Sequence, residues 1–294
     1  MTFRAGTVAI VGRPNVGKST LVNRLVGQKI AITSDKPQTT RHLIRGVVTT
    51  EGAQLVLVDT PGIHKPHHLL GEQIVRAAKE TLSDVDVRVL VVDAQEAAGG
   101  GDAFVAGWLA ECAKPTILVL NKADRVKAIP DAIFQSYKAL GKFDGVVPLS
   151  ARTGRNVKAL VAAIAKHLPE SPPLYDADVP TDQTLRTLAG ELIREQVLRQ
   201  TGEEIPHSVA VRIDEFDESQ TPVRIAATLF VERDSQKGIV IGQGGSRLKA
   251  IGQAAREAIE KQLEAPIFLE TRVKVLKNWR KDRAALKRLG YVTD

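Results

Sequence analysis

The 294-residue chain has little of several features that mark particular classes of protein. Its one cysteine, Cys112, excludes an internal disulfide framework and a thiolate metal cage, and it favours a reducing, cytoplasmic setting. No uninterrupted apolar run approaches the ~20 residues of a membrane span. The first residues also lack the pattern of a secretory signal. We therefore expect a cytoplasmic protein, and we expect Cys112 to be a small buried hydrophobe.

By contrast, the chain has enough apolar residues for more than one hydrophobic core. Hydrophobic residues make up 43% of the chain, and its length exceeds that of most single domains, so we expect two. The net charge is +7. Residues 1–170 carry 22 Lys and Arg against 15 Asp and Glu, whereas residues 171–294 carry 19 of each. The positive excess therefore belongs to the first part.

Charges in the second part balance but are segregated by sign. This predicts an oriented electrostatic face that binds a polyanion, with a solvated basic helix as the alternative. The acidic group is Glu203, Glu204, Asp214, Glu215, Asp217 and Glu218, and the basic group is Arg272, Lys274, Lys277, Arg280, Lys281, Arg283, Lys287 and Arg288, among which Asp282 is the only acid.

Short apolar strands alternate with helices in the first half, which is typical of a largely parallel sheet. A turn at 51–53 joins two strands as a hairpin, so one strand should be antiparallel. Four prolines in 168–183 indicate a linker between domains 1–168 and 184–294, with the linker itself at 169–183. The predicted strands are 7–12, 43–50, 53–60, 87–93, 115–121 and 145–150, and the predicted helices are 18–27, 71–81, 101–112, 130–140 and 156–167.

The second half predicts a small α+β unit. Its pattern indicates a helix at 185–202, strands at 208–216 and 222–233, and a short helical turn. There follow a helix at 246–264, a strand at 266–276 and a basic terminal helix at 277–289.

GRPNVGKS at 12–19 fits the pattern G-x-x-x-x-G-K-[ST], directly after a strand and opening a helix. Gly12 and Gly17 let backbone amides turn toward phosphates at a helix N-terminus. Lys18 reaches the β and γ oxygens, and Ser19 offers its hydroxyl to Mg²⁺. The predicted nucleotide contacts here are Gly12, Arg13, Pro14, Asn15, Val16, Gly17, Lys18, Ser19 and Thr20.

Three further motifs follow at the carboxyl ends of predicted strands, where open α/β sheets bind ligands. In DTPG, Asp59 can hold Mg²⁺ through water and the Gly62 amide can meet a γ-phosphate. In NKAD, Asn121 and Asp124 can bind guanine. Adenine lacks the N1–H and N2–H₂ donor pair of guanine, so the nucleotide should be GTP or GDP. In SAR, a backbone amide can meet guanine O6. These motifs add Asp59, Thr60, Pro61, Gly62, Asn121, Lys122, Asp124, Ser150, Ala151 and Arg152 to the predicted contacts.

These motifs in this order resemble the translation-factor-related GTPases, and within them the TrmE–Era group. QTTRH at 38–42 looks like that group's first switch, which makes Thr40, rather than Thr39, the expected Mg²⁺ ligand beside Ser19 and Asp59. The resemblance implies an α/β P-loop GTPase domain with a mostly parallel sheet and one antiparallel strand. It assigns hydrolysis of GTP to GDP and phosphate to Lys18, Thr40, Gly62 and Asn15.

Two positions bear on the rate of hydrolysis. Ile63 stands where Ras-like enzymes have a glutamine that orients the attacking water, so intrinsic turnover should be slow. In potassium-dependent relatives the asparagine that matches Asn15 helps to coordinate K⁺, while the alternative for Asn15 is a plain turn residue. His64, His67 and His68 lack an acidic or thiol partner nearby, which favours a solvated loop over a zinc site.

A second glycine loop, IGQGGSRLKAIG at 241–252, fails as a dinucleotide fingerprint because Arg247 stands where glycine is needed. Its G-x-x-G resembles the loop of type II KH domains, which lets a single-stranded nucleic-acid backbone approach closely. A helix–turn–helix joint is the alternative reading. In the KH arrangement, Ile241, Leu248 and Ile251 would face the core or a groove. The predicted RNA contacts are Ile241, Gly242, Gln243, Gly244, Gly245, Ser246, Arg247, Lys249, Lys277, Arg280 and Lys281.

A GTPase domain followed by one α+β KH domain is similar to one branch of that group over essentially the whole chain. The resemblance implies binding to the 3′ end of small-subunit rRNA, a role in 30S maturation and association with the inner membrane. It implies no stable protein partner, and we expect a monomer. Two alternatives remain open: an RNA-binding assembly factor that keeps GTP as a structural ligand, and a membrane-signalling GTPase without RNA.

Overall fold

The computed structural model describes residues 2–36, 39–62, 68–111, 113–202 and 204–292. Six residues named above therefore lie outside the described part: Gln38, Ile63, His64, His67, Cys112 and Glu203. Two compact units are present. The first is built from described residues within 1–31, 40–65 and 74–182, and the second from those within 32–39, 66–73 and 183–294.

A six-stranded sheet forms the centre of the first unit, in the order β2-β3-β1-β4-β5-β6. β2 runs antiparallel to β3, and all other neighbours are parallel. The predicted sheet with a single antiparallel strand is thus confirmed. The strands are β1 (Arg4–Val11), β2 (Ile44–Thr49), β3 (Ala53–Asp59), β4 (Val87–Asp93), β5 (Thr116–Asn121) and β6 (Gly145–Pro148).

Helices cover both faces of this sheet, so β3, β4 and β5 are buried along their whole length. Side chains such as Ile10 and Val89 pack against one helical layer, and Val11 and Leu90 pack against the other. Burial on both faces explains the near-continuous apolar strands of the sequence. The helices are α1 (Lys18–Val26), α2 (Leu69–Asp84), α3 (Gly100–Ala110), α4 (Asp131–Lys138) and α5 (Val157–Ala165).

The second unit has a three-stranded sheet in the order β7-β8-β9, antiparallel and then parallel. Helices α6 and α9 pack on it, with Ile193, Val197, Ile251 and Ala255 fully buried. Its elements are α6 (Leu185–Gln200), α7 (Glu204–Ser208), β7 (Ala210–Asp217), β8 (Val223–Val231), α8 (Asp234–Ile241), α9 (Ser246–Leu263), β9 (Ile267–Val275) and α10 (Arg283–Arg288). The predicted α+β class is confirmed.

The end of the chain differs from prediction. The expected helix at 277–289 is instead one 3₁₀ turn at Trp279–Lys281 followed by α10. Trp279 is fully buried and its Nε1 donates to the Ser208 carbonyl at 2.9 Å, while Asp282 caps α10 by accepting from the Ala284 amide. An anchored tryptophan and a capping aspartate therefore divide the segment. Every helix in the described part of the chain is too short or too polar to cross a membrane.

Candidate nucleotide site and glycine-loop groove

The first glycine loop leaves β1 at Val11 and enters α1 at Lys18. Gly12 and Gly17 have φ of 151° and 95°, and a Cβ would strike the Val91 carbonyl oxygen at the first and the Asn121 side chain at the second. Asn15 also has a positive φ, 63°, as a turn requires. These backbone angles and close contacts require glycine at both positions. Among the described residues no side chain caps the start of α1 at Gly17, so its first amides are available to an anion.

Lys18 lies inside this loop. Its Nζ donates to the carbonyl oxygens of Gly12 at 3.0 Å and Arg13 at 2.9 Å, and the residue is 6% exposed. Burial lowers the pKa of Lys18 to about 8, against the opposing effect of the nearby Asp59 carboxylate. The loop thus holds a cation where phosphate oxygens would arrive.

Three oxygen-bearing side chains meet beside it. The Ser19 hydroxyl lies 2.7 Å from Asp59 Oδ2 and 2.9 Å from the Thr40 hydroxyl. Asp59 is fully buried, and its Oδ1 has no hydrogen-bond partner among the described residues. Burial raises the pKa of Asp59 to about 6, although Ser19 and Lys18 oppose the shift. A hard divalent cation fits this all-oxygen donor set.

Thr39 lies in a different environment from its neighbour Thr40. Its hydroxyl donates to the Lys36 carbonyl at 2.6 Å, and its own carbonyl accepts from Arg194. Of the two threonines considered from the sequence, Thr40 is the one that the structure brings to Ser19 and Asp59.

The DTPG segment follows β3 and approaches the glycine loop. A Cβ on Gly62 would lie 2.9 Å from Pro14 Cα, so only glycine fits there. The buried Thr60 hydroxyl donates to the Ile10 carbonyl at 2.8 Å, which ties this turn to β1.

His68 Nδ1 accepts from the Gly71 amide at 3.0 Å. The described residues contain no group of three or more His, Cys, Asp or Glu that could hold a metal.

Asn121 and Asp124, the predicted guanine contacts, have different surroundings. Asn121 is buried and joins two loops: Nδ2 donates to the Val16 carbonyl at 2.7 Å, and Oδ1 accepts from the Ala151 amide at 2.9 Å. Its side-chain amide is thus already used within the protein. Asp124 accepts from Arg152 Nη2 at 2.6 Å. Hydrogen bonds from Ser150 and Arg152 lower the pKa of Asp124 to about 2, so the carboxylate is ionised and can accept the guanine donors.

Two predicted contact side chains are directed to protein partners instead. Arg13 pairs with Glu96 at 2.6 Å and Asp102 at 3.4 Å, so this residue offers a ligand its backbone and not its guanidinium. Lys122 Nζ contacts Asp93 Oδ2 at 2.6 Å. Asp93 is the last residue of β4, as Asp59 is the last residue of β3. No sequence motif had indicated Asp93.

The second glycine loop separates α8 from α9. Gly242, Gly244 and Gly245 have φ of 73°, 57° and 81°. A Cβ on Gly242 would lie 2.8 Å from Arg247 Cβ, whereas Cβ atoms on Gly244 and Gly245 would meet no atom of the described residues within 4 Å. Packing therefore explains the first glycine but not the other two, whose bare backbone lies at an open surface.

A groove of about 530 Å³ runs from this loop along α9 and β9. Leu248 lines it, while Ile251 is fully buried in the core. Four of its residues, Gln253, Arg256, Leu269 and Thr271, lie outside the glycine-loop motif. The packing of α9 on β9 brings them together. The lining residues are Gly245, Leu248, Lys249, Gly252, Gln253, Arg256, Leu269 and Thr271.

Two predicted phosphate contacts are used within the fold. The Arg247 guanidinium donates to the Ile239 carbonyl, which braces the end of α8. Arg280 pairs with Glu232, and both side chains are largely buried. By contrast, Lys249, Lys277 and Lys281 are exposed. An RNA contact by either arginine would have to share or break its present bond.

Comparison with known proteins identifies both units. A family model described as 50S ribosome-binding GTPase matches residues 7–122, and a KH domain model matches residues 204–280. GTPase Era from Nostoc sp. (strain PCC 7120 / SAG 25.82 / UTEX 2576) is 52% identical over 291 residues, which cover 98% of this chain and 90% of that protein.

Two solved structures superpose over nearly the whole chain. One is a variant of Aquifex aeolicus Era bound to GDP·AlF4⁻, and the other is Era in complex with MgGDPNP and nucleotides 1506–1542 of 16S ribosomal RNA. Each has a TM-score of 0.94 at 39% identity, covering 99% of this chain and 100% of its own. The chain belongs to the Era family of GTPases, in which a KH domain follows the GTPase domain.

Proposed function

We propose that this GTPase binds the 3′ end region of 16S rRNA through its KH domain and acts in maturation of the 30S subunit. The observation that carries the proposal is the uncovered backbone of Gly244 and Gly245, the second of which lines the groove. A similar structure at 39% identity holds 16S rRNA nucleotides 1506–1542. The RNA-contact set is that predicted from the sequence, extended by the groove residues Gln253, Arg256 and Thr271.

For the nucleotide site we propose GTP or GDP as ligand, bound by the loop at 12–20, the turn at 59–62 and the two base loops. Lys18 is placed to bind the β and γ oxygens of GTP, and the Gly62 amide to hold the γ-phosphate. Asp124 accepts from the guanine ring. We keep the domain boundaries 1–168, 169–183 and 184–294 as part of this proposal.

Mg²⁺ would be held by Ser19, Thr40 and Asp59, whose oxygens already lie together. When bound, the ion supplies charge that offsets the negative charge of the phosphates. Lys18 would contact the same phosphate oxygens from the side of the glycine loop. Position 63 is isoleucine and not a glutamine that could orient the attacking water. We therefore propose slow intrinsic hydrolysis, stimulated by K⁺ with the help of Asn15.

The alternative function, an assembly factor that keeps GTP as a structural ligand, is favoured by one feature, the apolar Ile63. Phosphate release from GTP should be measured in Na⁺, in K⁺, and in K⁺ with 16S 3′-end RNA. We expect turnover that rises from the first condition to the third. Undetectable turnover in all three would leave the alternative.

Lys18→Ala is the matched control for these measurements. It should abolish productive GTP binding while sparing RNA binding, because Lys18 belongs to the phosphate loop and not to the groove. Loss of RNA binding in this variant in the absence of nucleotide would show that the two sites had been assigned wrongly.

We place the protein in the cytoplasm as a monomer, with peripheral association with the inner membrane through exposed basic residues such as Lys277 and Lys281. Flotation with anionic vesicles, with and without competing 16S RNA, tests the membrane part. If competing 16S RNA abolishes binding to the vesicles, the RNA and the membrane share one basic surface. Sedimentation velocity tests the monomer.

A further inference from the structure

A cavity of about 380 Å³ lies in the first unit, where β4 and β5 begin and where α3 and α4 end. Its volume falls within the range of small-ligand sites, about 300–1,000 Å³. β4 and β5 run from this edge of the sheet to Asp93 and Asn121 on the nucleotide side. Five residues of strand, about 17 Å, separate the two edges, so the cavity is not part of the nucleotide site.

Arg88 brings a buried charge to this cavity. It is the second residue of β4, it is 2% exposed, and it lines the cavity. Its Nη2 donates to the Lys114 carbonyl at 2.7 Å, which fixes the guanidinium beside the segment that leads into β5. Burial of a cation is costly unless nearby negative charge offsets it. The charge balance around Arg88 therefore indicates what the cavity can accept.

The charged groups that line the cavity do not balance one another. Lys114 and Lys142 line it with Arg88, and neither lysine forms an ion pair with a described residue. Among the described residues, Asp144 supplies the one lining carboxylate, and its Oδ2 accepts from the Thr116 amide at 2.8 Å. α3 and α4 end here, and each helix C-terminus is equivalent to about half a negative charge. The three cations therefore exceed the negative charge by about one unit.

The rest of the lining is mainly apolar. Leu109, Leu140 and Phe143 line the cavity and pack against the core on this side of the sheet. Leu140 and Phe143 are only partly buried, so apolar surface stays accessible there. A ligand with one negative charge and an apolar body complements both properties. A phosphate dianion fits less well, because its second charge would exceed the positive excess.

We propose that this cavity binds a small monocarboxylate with an apolar body. The carboxylate lies at Arg88 and Lys142, and the body packs against Leu140 and Phe143. A guanidinium matches the planar geometry of a carboxylate, and the apolar walls contribute by burying the body of the ligand. If the three cations served only to offset Asp144 and the two helix ends, no added anion would bind.

The test uses cinnamate as the probe and cinnamamide as its uncharged analogue of the same shape. The full chain is saturated with GDP and Mg²⁺, so that the nucleotide site is filled, and titrations are followed by ligand-detected NMR. Cinnamate should bind about 10–100-fold more tightly than cinnamamide, and acetate, which lacks the apolar body, should bind more weakly than cinnamate. Equal affinities for acid and amide, or no binding of the acid, would overturn the proposal.

Two lysine variants locate the carboxylate. Lys142→Glu should weaken cinnamate binding at least about tenfold, because it places an anion at the cavity. Lys138→Glu is the matched control, since it makes the same charge change at an exposed lysine of α4 that does not line the cavity. It should leave the affinity almost unchanged. Equal losses in both variants, or no loss in Lys142→Glu, would contradict the assigned position.

Two further variants test the cavity and its buried charge. Ala110→Phe fills the cavity from the end of α3 without a change of charge, and it should abolish cinnamate binding while GDP affinity is kept. Arg88→Met should lower cinnamate affinity to that of cinnamamide, with thermal unfolding and GDP affinity as checks of folding. Cinnamate binding retained in Ala110→Phe would refute the cavity as the site. Preference for acid over amide in folded Arg88→Met would refute the role of Arg88.

Discussion

At the scale of single residues, the proposed base site contains an unusually acidic carboxyl group. Asp124 has a pKa near 2 because Ser150 and Arg152 donate hydrogen bonds to it. An ionised carboxylate accepts two guanine donors at once, which a neutral amide cannot do. In the proposed base site, selectivity therefore depends on this one charge.

Asp124→Asn should weaken GTP binding about 10–100-fold and shift preference toward XTP, because the amide offers a donor to the xanthine carbonyl. Competition between the two nucleotides for the full chain measures the shift. A variant that still selects GTP as the wild type does would contradict the assigned base pocket.

The same carboxyl group predicts how selectivity depends on pH. A lowered pKa means that Asp124 stays ionised until the pH falls toward 2, so its contribution is constant across the neutral and mildly acidic range. The ratio of GDP to IDP affinity, which reports the N2 contact, should be unchanged from about pH 8 down to about pH 3. A ratio that falls as the pH drops through the ordinary range of aspartate would show that Ser150 and Arg152 do not hold this charge.

At the scale of elements, α6 contains charges that an amphipathic pattern does not predict to be buried. Arg194 is fully buried and pairs with Glu191 at 2.6 Å; it also donates to the Thr39 carbonyl. Glu195 is also fully buried and accepts from the Thr33 amide at 2.9 Å. Thr33 and Thr39 thus pack with α6 inside the second unit. The partners are more than 150 positions apart, so no local pattern indicates them.

Arg194→Met should lower the free energy of unfolding by about 2–4 kcal/mol, because it leaves the Glu191 carboxylate poorly paired in a largely buried place. Urea unfolding of the full chain measures the change. Arg272→Ala, which removes an exposed partner of Glu270 on β9, is the control and should leave the transition almost unmoved. Equal, small effects in both variants would mean that the buried pair adds nothing.

At the scale of the whole molecule, sequence patterns predicted the classes of both units and the order of the nucleotide motifs. They succeeded because each motif is local: a strand end, a few glycines and one or two polar residues define it. They failed where a side chain binds a distant backbone group. Arg24 reaches a loop 127 positions away, and Trp279 anchors to Ser208.

The same limit applies in the glycine-loop unit. Arg247 was predicted to contact RNA from the glycine-loop resemblance, and Arg280 from the basic cluster near the end of the chain. In the fold they bond to Ile239 and Glu232, which other elements bring to them. Exposed cations such as Lys249 are therefore better candidates for RNA contacts than Arg247 and Arg280.

The most direct test of the account is the affinity of the full chain for 16S 3′-end RNA before and after Gly244→Asp with Gly245→Asp. Aspartate tolerates positive φ better than most residues and has open space at both positions, so the variant should fold. We predict that RNA affinity falls at least about tenfold, since two carboxylates repel the phosphate backbone, while GDP affinity is unchanged. RNA affinity equal to that of the wild type would contradict the assignment of this groove.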